Sequence, residues 1–206
     1  MFTVYIKKRL AHFMVNVQFS IKKEIAVLFG PSGSGKTTIL NCIAGLSKMN
    51  DGYITLNDRT LNENGKVLIP VQERKIGYVF QDYALFPHKT VWENITYGMK
   101  QEKFTQDLVD ELNITHLLNQ YPHEISGGEK QRTALIRALA TEPEILLLDE
   151  PFSALDAKTK QTSYEQLLRI QKRWKIPIIL VTHNLEEVNL LADKVFYIEN
   201  GVLVQN

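Results

Sequence analysis

The stretch Gly30-Pro31-Ser32-Gly33-Ser34-Gly35-Lys36-Thr37-Thr38 constrains the fold more than any other part of the sequence. It matches the pattern of a phosphate-binding loop, in which Gly-Lys-Thr follows an earlier glycine after four residues. The glycines let several backbone N–H groups converge on one anion, Lys36 can reach the β- and γ-phosphates, and the Thr37 hydroxyl can bind Mg²⁺. Residues 25–29 predict a buried strand, and residues 38–44 predict a helix whose positive end faces the phosphate. An ordinary Gly/Ser turn would explain only part of this combination.

Composition excludes several other classes of protein. The chain has 206 residues, enough for one domain with a sizeable core, and a net charge of +1 that favours neither nucleic acid nor membrane surfaces. Its single cysteine, Cys42, excludes an internal disulfide and is expected in the core. The apolar runs are too short to span a bilayer, and no signal peptide pattern begins the chain. We therefore expect a cytoplasmic protein that touches a membrane only through a partner.

The segment before the loop is predicted to be an antiparallel β structure. Apolar and polar residues alternate over 2–29, which predicts two or three antiparallel strands leading into the loop strand. Phe13, between the first two strands, is either a core residue or an aromatic ring that stacks on an adenine. Asp51-Gly52 predicts a hairpin turn, followed by a strand at 53–57.

Helical periodicity replaces this alternation after a strand predicted at 76–80, which ends at Gln81. We interpret residues 83–140 as a helical insert in a core made of residues 1–82 and 141–206. The clearest helical segments are 91–95, 104–112 and 129–140.

Ser126-Gly127-Gly128-Glu129 opens the last of these helices. Serine with glutamate three residues later has the spacing of a capping box. Two glycines at a helix start also leave N–H groups exposed, which is a second arrangement suited to an anion. A cap alone would explain the serine and the glutamate, but it leaves the paired glycines without a structural explanation.

Two buried strands are predicted to end in polar residues that can act on a phosphate. Residues 145–148 form a continuous apolar run, and Asp149 and Glu150 follow it. Beside the phosphate loop, Asp149 would hold Mg²⁺ through water and Glu150 would polarise an attacking water. The strand at 178–181 precedes His183, a candidate sensor of the γ-phosphate. An acidic turn and a structural histidine are the plainer alternatives.

The remaining segments complete an α/β pattern. Residues 157–175 predict an amphipathic helix. Its apolar face is expected to hold Leu167, Leu168, Ile170 and Trp174. A short helix at 184–191, a strand at 194–199 and a final short strand after Gly201 close the chain.

Taken together, these motifs resemble those of the ATP-binding subunit of ABC transporters, in the order found in that family. Residues 30–37 correspond to the Walker A loop, Gln81 to the Q-loop, and residues 125–129 to the signature motif. Residues 145–149 correspond to Walker B, with Glu150 as the catalytic glutamate. Residues 153–156 correspond to the D-loop and His183 to the switch histidine.

The resemblance implies a P-loop NTPase core of the α/β class, with an N-terminal antiparallel β subdomain and an inserted α-helical subdomain. It implies ATP and Mg²⁺ as the bound groups, with catalytic roles for Lys36, Gln81, Glu150 and His183. The implied Mg²⁺ ligands are Thr37, Gln81 and Asp149. The implied nucleotide contacts are Phe13, Gly30, Pro31, Ser32, Gly33, Ser34, Gly35, Lys36, Thr37 and Thr38, and, across a dimer, Ser126, Gly127, Gly128 and Asp156.

The resemblance also implies partners. Two copies would pair head to tail, and the dimer would bind integral membrane permease subunits at the cytoplasmic face of the membrane. A solute-binding protein would act indirectly, and no direct contact with nucleic acid is implied. The stretch 74–88, with Tyr97-Gly98-Met99 and residues 126–132, is most similar to importer ATPases of the molybdate/tungstate type.

The sequence departs from the common family pattern at three points. The signature reads Ile-Ser-Gly-Gly-Glu at residues 125–129 rather than beginning with leucine and ending with glutamine, and Phe13 stands where tyrosine is usual. The chain stops soon after the last core strand, so we expect no C-terminal regulatory domain. The expected absence of that domain weakens the assignment of molybdate or tungstate as the transported solute.

Two other functions remain open from the sequence. A soluble ABC ATPase of DNA repair or translation is one, but repair members carry a long coiled coil before the signature, and translation members usually carry two cassettes. A P-loop kinase for a small metabolite is the other, and it would leave the signature, the D-loop and His183 unexplained. Phosphate release without phosphoryl transfer would exclude the kinase.

Overall fold

The computed structural model describes residues 1–204, and within them one mixed sheet of eleven strands forms the centre of the protein. The strands are β1 Phe2–Arg9, β2 Met14–Ile21, β3 Ile25–Phe29, β4 Asp51–Leu56, β5 Arg59–Glu63, β6 Lys66–Val67, β7 Ile76–Val79, β8 Ile145–Asp149, β9 Ile178–Thr182, β10 Lys194–Glu199 and β11 Val202–Val204. Their order across the sheet is β6-β5-β4-β1-β2-β11-β10-β3-β9-β8-β7. The predicted α/β class is confirmed.

The antiparallel half of the sheet contains β1, β2, β4, β5 and β6. The prediction of a hairpin turn at Asp51-Gly52 is wrong, because both residues lie in β4, where Gly52 pairs with Ile6. A Cβ at Gly52 would collide with the carbonyl of Tyr5, so glycine is needed for β4 to approach β1 this closely. The turn follows β4 instead, where Asn57 has a φ of 54°.

The parallel half runs from β10 through β3, β9 and β8 to β7. Every residue of β8 and of β9 is buried, as expected of central parallel strands covered on both faces. Side chains of β3 alternate between two cores: Val27 packs into the core on one face and Leu28 into the core on the other. These strands all direct their carboxyl ends to one edge of the sheet, where the phosphate loop leaves β3.

Six α-helices complete the described part of the chain. They are α1 Lys36–Ala44, α2 Val91–Thr96, α3 Glu102–Glu111, α4 Gly127–Leu139, α5 Ala157–Trp174 and α6 Leu185–Leu191. Helices α2, α3 and α4 lie between β7 and β8 in the chain, as predicted for an inserted helical segment. In α5, Leu167 and Ile170 are buried, but Leu168 is 40% exposed, so its place on the apolar face is a wrong prediction. Successive helix residues differ by about 100° in direction, which turns Leu168 away from the face that holds Leu167.

In residues 1–204, no helix is both long and apolar enough to cross a bilayer.

Candidate functional site

A cleft of about 460 Å³ lies at the carboxyl edge of the parallel strands. It is bounded by the connection between β1 and β2, by the phosphate loop and start of α1, and by the residues after β7 and β8. Its lining residues are Leu10, Ala11, His12, Phe13, Ser32, Gly33, Gly35, Lys36, Thr37, Thr38, Gln81 and Glu150. The structure therefore brings together most of the loop residues predicted from the sequence, with Phe13, Gln81 and Glu150.

The phosphate loop folds around the amino group of Lys36. Its Nζ donates to the carbonyl of Gly30 at 2.7 Å and to that of Pro31 at 2.8 Å. Burial lowers the pKa of Lys36, while the carboxylates of Glu150 and Asp149 act in the opposite direction. Gly30 lies against the carbonyl of Ile198, where a Cβ would collide, so only glycine fits there. Gly30, Pro31 and Ser34 do not line the cleft themselves.

Thr37 lines the cleft, whereas Asp149, a predicted Mg²⁺ ligand, is buried and is not among the lining residues. The Thr37 hydroxyl donates to Oδ1 of Asp149 at 3.1 Å, joining the first turn of α1 to the end of β8. Tyr78 of β7 places its hydroxyl 3.2 Å from Oδ1 of Asn41 and 3.5 Å from Oδ2 of Asp149. Burial raises the pKa of Asp149, and the nearby Glu150 carboxylate adds to this, whereas the hydrogen bonds from Thr37 and Tyr78 oppose it. Hydroxyl and carboxylate oxygens are the ligands that Mg²⁺ prefers.

Glu150 and His183 meet beside the cleft. Nδ1 of His183 lies 3.1 Å from Oε1 of Glu150, because each follows one of two adjacent parallel strands. Glu150 has a φ of 46°, and its carbonyl accepts from the backbone N–H and hydroxyl of Ser153. This tight turn fixes the carboxylate at the cleft wall. A carboxylate supported by an imidazole can orient and deprotonate a water molecule.

Phe13 also lines the cleft. Its half-buried ring packs against the antiparallel core, and its stacking on an adenine stays a prediction. The ring lies next to Gly35 of the phosphate loop and to Gly201 of the turn after β10. Gly201 donates its N–H to the carbonyl of Ser34 at 3.0 Å and accepts from Asn16 N–H at 2.7 Å.

Besides Gly30, Pro31 and Ser34, the predicted contacts across a dimer also lie outside the lining of this cleft: Ser126, Gly127, Gly128 and Asp156. Ser126 donates its N–H and its hydroxyl to Glu129, each at 2.7 Å, at the start of α4. A Cβ on Gly128 would lie 2.5 Å from Cγ2 of Thr159, so close packing explains this glycine, and its predicted lack of structural explanation is wrong. Gly127 has only ordinary contacts. Asp156 caps α5 by accepting from the N–H groups of Lys158 and Thr159.

Two residues of the site were missed from the sequence. His12 lines the cleft beside Phe13, and its position in the same connection was the available signal. Tyr78 reaches Asp149 only because β7 pairs with β8 in a register that places Tyr78 opposite Leu147. No pattern in the sequence specifies that register.

The sequence model of the ABC transporter family matches residues 14–153 of this chain. The chain belongs to the ABC transporter family. The matched segment includes the phosphate loop, Gln81, the start of α4 and Glu150, and it ends at Ser153.

Two curated ABC relatives match nearly the whole chain. The chain is 47% identical to the molybdenum import ATP-binding protein ModC of Haemophilus influenzae, over 98% of its own length and 59% of that protein. It is 42% identical to the molybdate/tungstate import ATP-binding protein WtpC of Archaeoglobus fulgidus, over 97% of this chain and 83% of that protein. The chain thus spans about three-fifths of the length of the first relative.

Solved ABC structures share the fold. A dimeric ATP-binding cassette in a post-hydrolysis state, bound to ADP and Pi, superposes with a TM-score of 0.83 at 27% identity, covering 100% of this chain and 97% of that one. A component of an ABC transporter complex from Clostridium perfringens superposes with a TM-score of 0.85 at 26% identity, covering 99% and 86%. The P-loop NTPase core predicted from the sequence is confirmed.

Proposed function

We propose that this chain is the ATP-hydrolysing subunit of an ABC importer, and that Glu150 positions the attacking water. The observation that carries the proposal is the pairing of Glu150 with His183 at 3.1 Å, on the wall of a cleft that also holds the phosphate loop. A carboxylate at this position can accept the proton of water, while the imidazole holds the carboxylate in place. Lys36 and the loop N–H groups would bind the β- and γ-phosphates.

The same cleft accounts for the rest of the nucleotide. Phe13 of the cleft lining would stack on the adenine, and Ser32 to Thr38 would surround the phosphates. Thr37 and Asp149, with Gln81 of the cleft lining, would hold Mg²⁺, which would neutralise charge on the transferring phosphate. The oxygen donors of Thr37 and Asp149 already lie 3.1 Å apart, which suits one hard cation.

ATP would join two copies head to tail. The edge formed by Ser126, Gly127 and Gly128 does not line the cleft of its own chain, and neither does Asp156. Asp156 lies near this edge in space, because its neighbours Leu155 and Thr159 contact Gly127 and Gly128. Exposed N–H groups at the start of α4 suit an anion, and a partner's ATP would supply it. A related cassette bound to ADP and Pi is described as dimeric, which supports this arrangement.

The membrane partner would dock beside the strand that leads to Gln81. A groove of about 370 Å³ lies between β7 and α4. Among its lining residues are Phe80, Ala84, Phe86, Tyr97 and Thr141, and the ring of Tyr97 is 68% exposed. We infer that integral permease subunits insert a helix here at the cytoplasmic face of the membrane, and that a solute-binding protein acts through them. Because Phe80 lines this groove and Gln81 is the next residue, movement in the groove would reach the ATP site.

The transported solute would be molybdate or tungstate. The support is the names of the relatives, a molybdenum importer and a molybdate/tungstate importer at 47% and 42% identity. The test is to purify the chain with its permease subunits and reconstitute them in vesicles with the solute-binding protein. ATP-dependent uptake of molybdate or tungstate, with sulfate excluded, is the expected result, and uptake of another solute alone would refute the assignment.

A separate test addresses hydrolysis. Glu150→Gln keeps the shape of the side chain and removes the base, so phosphate release should fall by about 10²- to 10⁴-fold while ATP still binds. Glu142→Gln, a change of the same charge outside the cleft, is the matched control. Undiminished turnover by Glu150→Gln would exclude the proposed role, and transfer of phosphate to a metabolite would indicate a kinase instead.

A further inference from the structure

Glu187 is a buried carboxylate that the proposed reaction does not use. It lies in the first turn of α6 and is only 3% exposed. Burial raises its pKa, while hydrogen bonds from Thr182 and Tyr164 and the positive charge of Lys160 act against that shift. A buried carboxylate costs stability compared with an apolar side chain unless it is well paired. Its presence therefore calls for a role other than filling the core.

A helix cap does not explain Glu187. Asn184 already caps α6, because its side chain accepts from the N–H of Glu186 at 2.8 Å. The carboxylate of Glu187 instead turns inward, where its Oε1 lies 3.4 Å from the hydroxyl of Tyr164 on α5. Thr182, the last residue of β9, immediately precedes His183, and its hydroxyl accepts from the N–H of Asn184 at 3.0 Å at the start of α6.

Tyr164 connects Glu187 to the turn that carries Glu150. The ring of Tyr164 is 2% exposed and meets the ring of Phe152 edge to face, with centroids 4.9 Å apart. Phe152 is 1% exposed and lies in the turn that Ser153 closes on the carbonyl of Glu150. These contacts link Glu187 through Tyr164 and Phe152 to the turn of Glu150. Glu187 also lies on α6, which Asn184 caps immediately after His183, the partner of Glu150.

We propose that Glu187, together with Tyr164, is a positioning residue that holds the His183 loop at hydrogen-bond distance from Glu150. The inference rests on the function proposed above and adds the buried support on which the Glu150–His183 pair depends. The charged and titratable groups that face Glu187 are Tyr164 and Lys160 of α5 and the His183 ring. The described hydrogen bonds of Glu187 reach no residue that lines the cleft, so its effect would pass through His183.

The test compares Glu187→Gln and Tyr164→Phe with Glu186→Gln, which removes the same charge from the exposed neighbour on the same turn. The first readout is the NMR signal of the His183 ring in the nucleotide-free protein, assigned with His183→Gln. The second is ATP hydrolysis, and the third is thermal unfolding. Both positioning variants should shift the His183 signal and lower kcat about tenfold, with KM changed less than about twofold. Glu186→Gln should change neither.

A purely structural role predicts another result. If Glu187→Gln unfolds at a lower temperature but keeps the wild-type His183 signal and kcat, the proposal is wrong. If Glu187→Gln does not fold, Tyr164→Phe decides, because it keeps the ring that packs on Phe152 and removes only the hydroxyl. If wild-type protein does not hydrolyse ATP, the proposed function fails, while the His183 signal still decides whether Glu187 positions the loop.

Discussion

The hydroxyl of Thr37 donates to Asp149 at 3.1 Å, and this contact joins the phosphate loop to the central strand β8. The two residues are 112 positions apart in the chain. Thr37 lies in the first turn of α1, after the loop that leaves β3, and Asp149 ends β8, so both lie at the carboxyl edge of the parallel strands.

Asp149→Asn should raise the Mg²⁺ concentration needed for half-maximal ATP hydrolysis. An amide keeps the hydrogen bond with Thr37 but loses the negative charge, and residues that hold a metal through water typically change affinity by about 10- to 100-fold. Phosphate release measured against Mg²⁺ at saturating ATP gives the shift. Asp107→Asn, on the exposed surface of α3, serves as the control. An unaltered Mg²⁺ curve for Asp149→Asn would remove Asp149 from the metal site.

Phe13→Ala should weaken ATP binding by about 1–3 kcal/mol if the ring stacks on adenine. Titration calorimetry with ATP measures the change, and Phe13→Tyr should bind ATP as the wild type does because it keeps the ring. Since the ring also packs against Gly35 and Gly201, thermal unfolding must be measured in parallel. Lower stability with unchanged ATP affinity would identify Phe13 as a core residue only.

Mixing two inactive variants should restore one ATP site if each site is shared between two chains. Lys36→Ala removes the cation of the phosphate loop, and Gly127→Asp places a carboxylate at the start of α4. Gly127 is preferred to Gly128 because a side chain there meets only ordinary contacts, whereas one at Gly128 would strike Thr159. In the mixed dimer, one site carries both changes and the other carries neither.

Crosslinking between the two chains in the presence of ATP measures whether the dimer closes around an intact ATP site. Each variant alone should fail to close, and the mixture should close at the intact site. Gly128→Ala, tested separately, reports the packing effect of a side chain at that position. Mixtures that fail to close at every ratio, when the wild type closes, would show that the sites are not shared.

Arg137→Met should lower the free energy of unfolding by about 2–4 kcal/mol. The Arg137 guanidinium donates to the carbonyls of Tyr83 and Ala84, at 2.7 Å and 2.8 Å, where both residues have positive φ. Arg137→Lys should recover little, because an ammonium cannot reproduce the planar pair of contacts. Urea unfolding gives the values, with the exposed Arg169→Met as the control. Equal stability of the two methionine variants would contradict this role.

Glu129 should make stability depend on pH in the acidic range. The hydrogen bonds from Ser126 lower its pKa below the ordinary value of 4.5. Because the folded protein holds the charged form, this contribution is present above pH 4.5 and is lost as the pH falls through the lower folded pKa. Urea unfolding of wild type and Glu129→Gln from pH 7 downward, at about half-unit steps, should therefore show a difference that disappears in acid. A difference that grows as the pH falls would reverse the sign and refute the assignment.

Local patterns predicted the parts of the site that depend on single strands. The strand, loop and helix around Lys36 follow from the glycine spacing and the apolar residues on each side. The approach of Glu150 and His183 also follows, because both were placed after buried strands that had to share an edge.

Long-range register could not be predicted in this way. The contact of Tyr78 with Asp149 depends on the register in which β7 pairs with β8, and the sequence carries no signal for that register. Asp51-Gly52 has the composition of a turn, but close approach to β1 required glycine inside a strand. The assignment of residues 83–140 as a separate helical subdomain stays a prediction. In the structure, Leu108 and Val109 of α3, which belong to this segment, share one hydrophobic core with Val27 of β3.

Gly201 connects two segments of the cleft wall through its backbone hydrogen bonds. Its N–H binds the carbonyl of Ser34 in the phosphate loop, and its carbonyl binds Asn16, three residues after Phe13. One residue thus ties the segment that carries Phe13 to the phosphate loop by backbone hydrogen bonds. These two walls of the cleft are held together before any ligand arrives, so a nucleotide that binds as proposed would lose little free energy to ordering them.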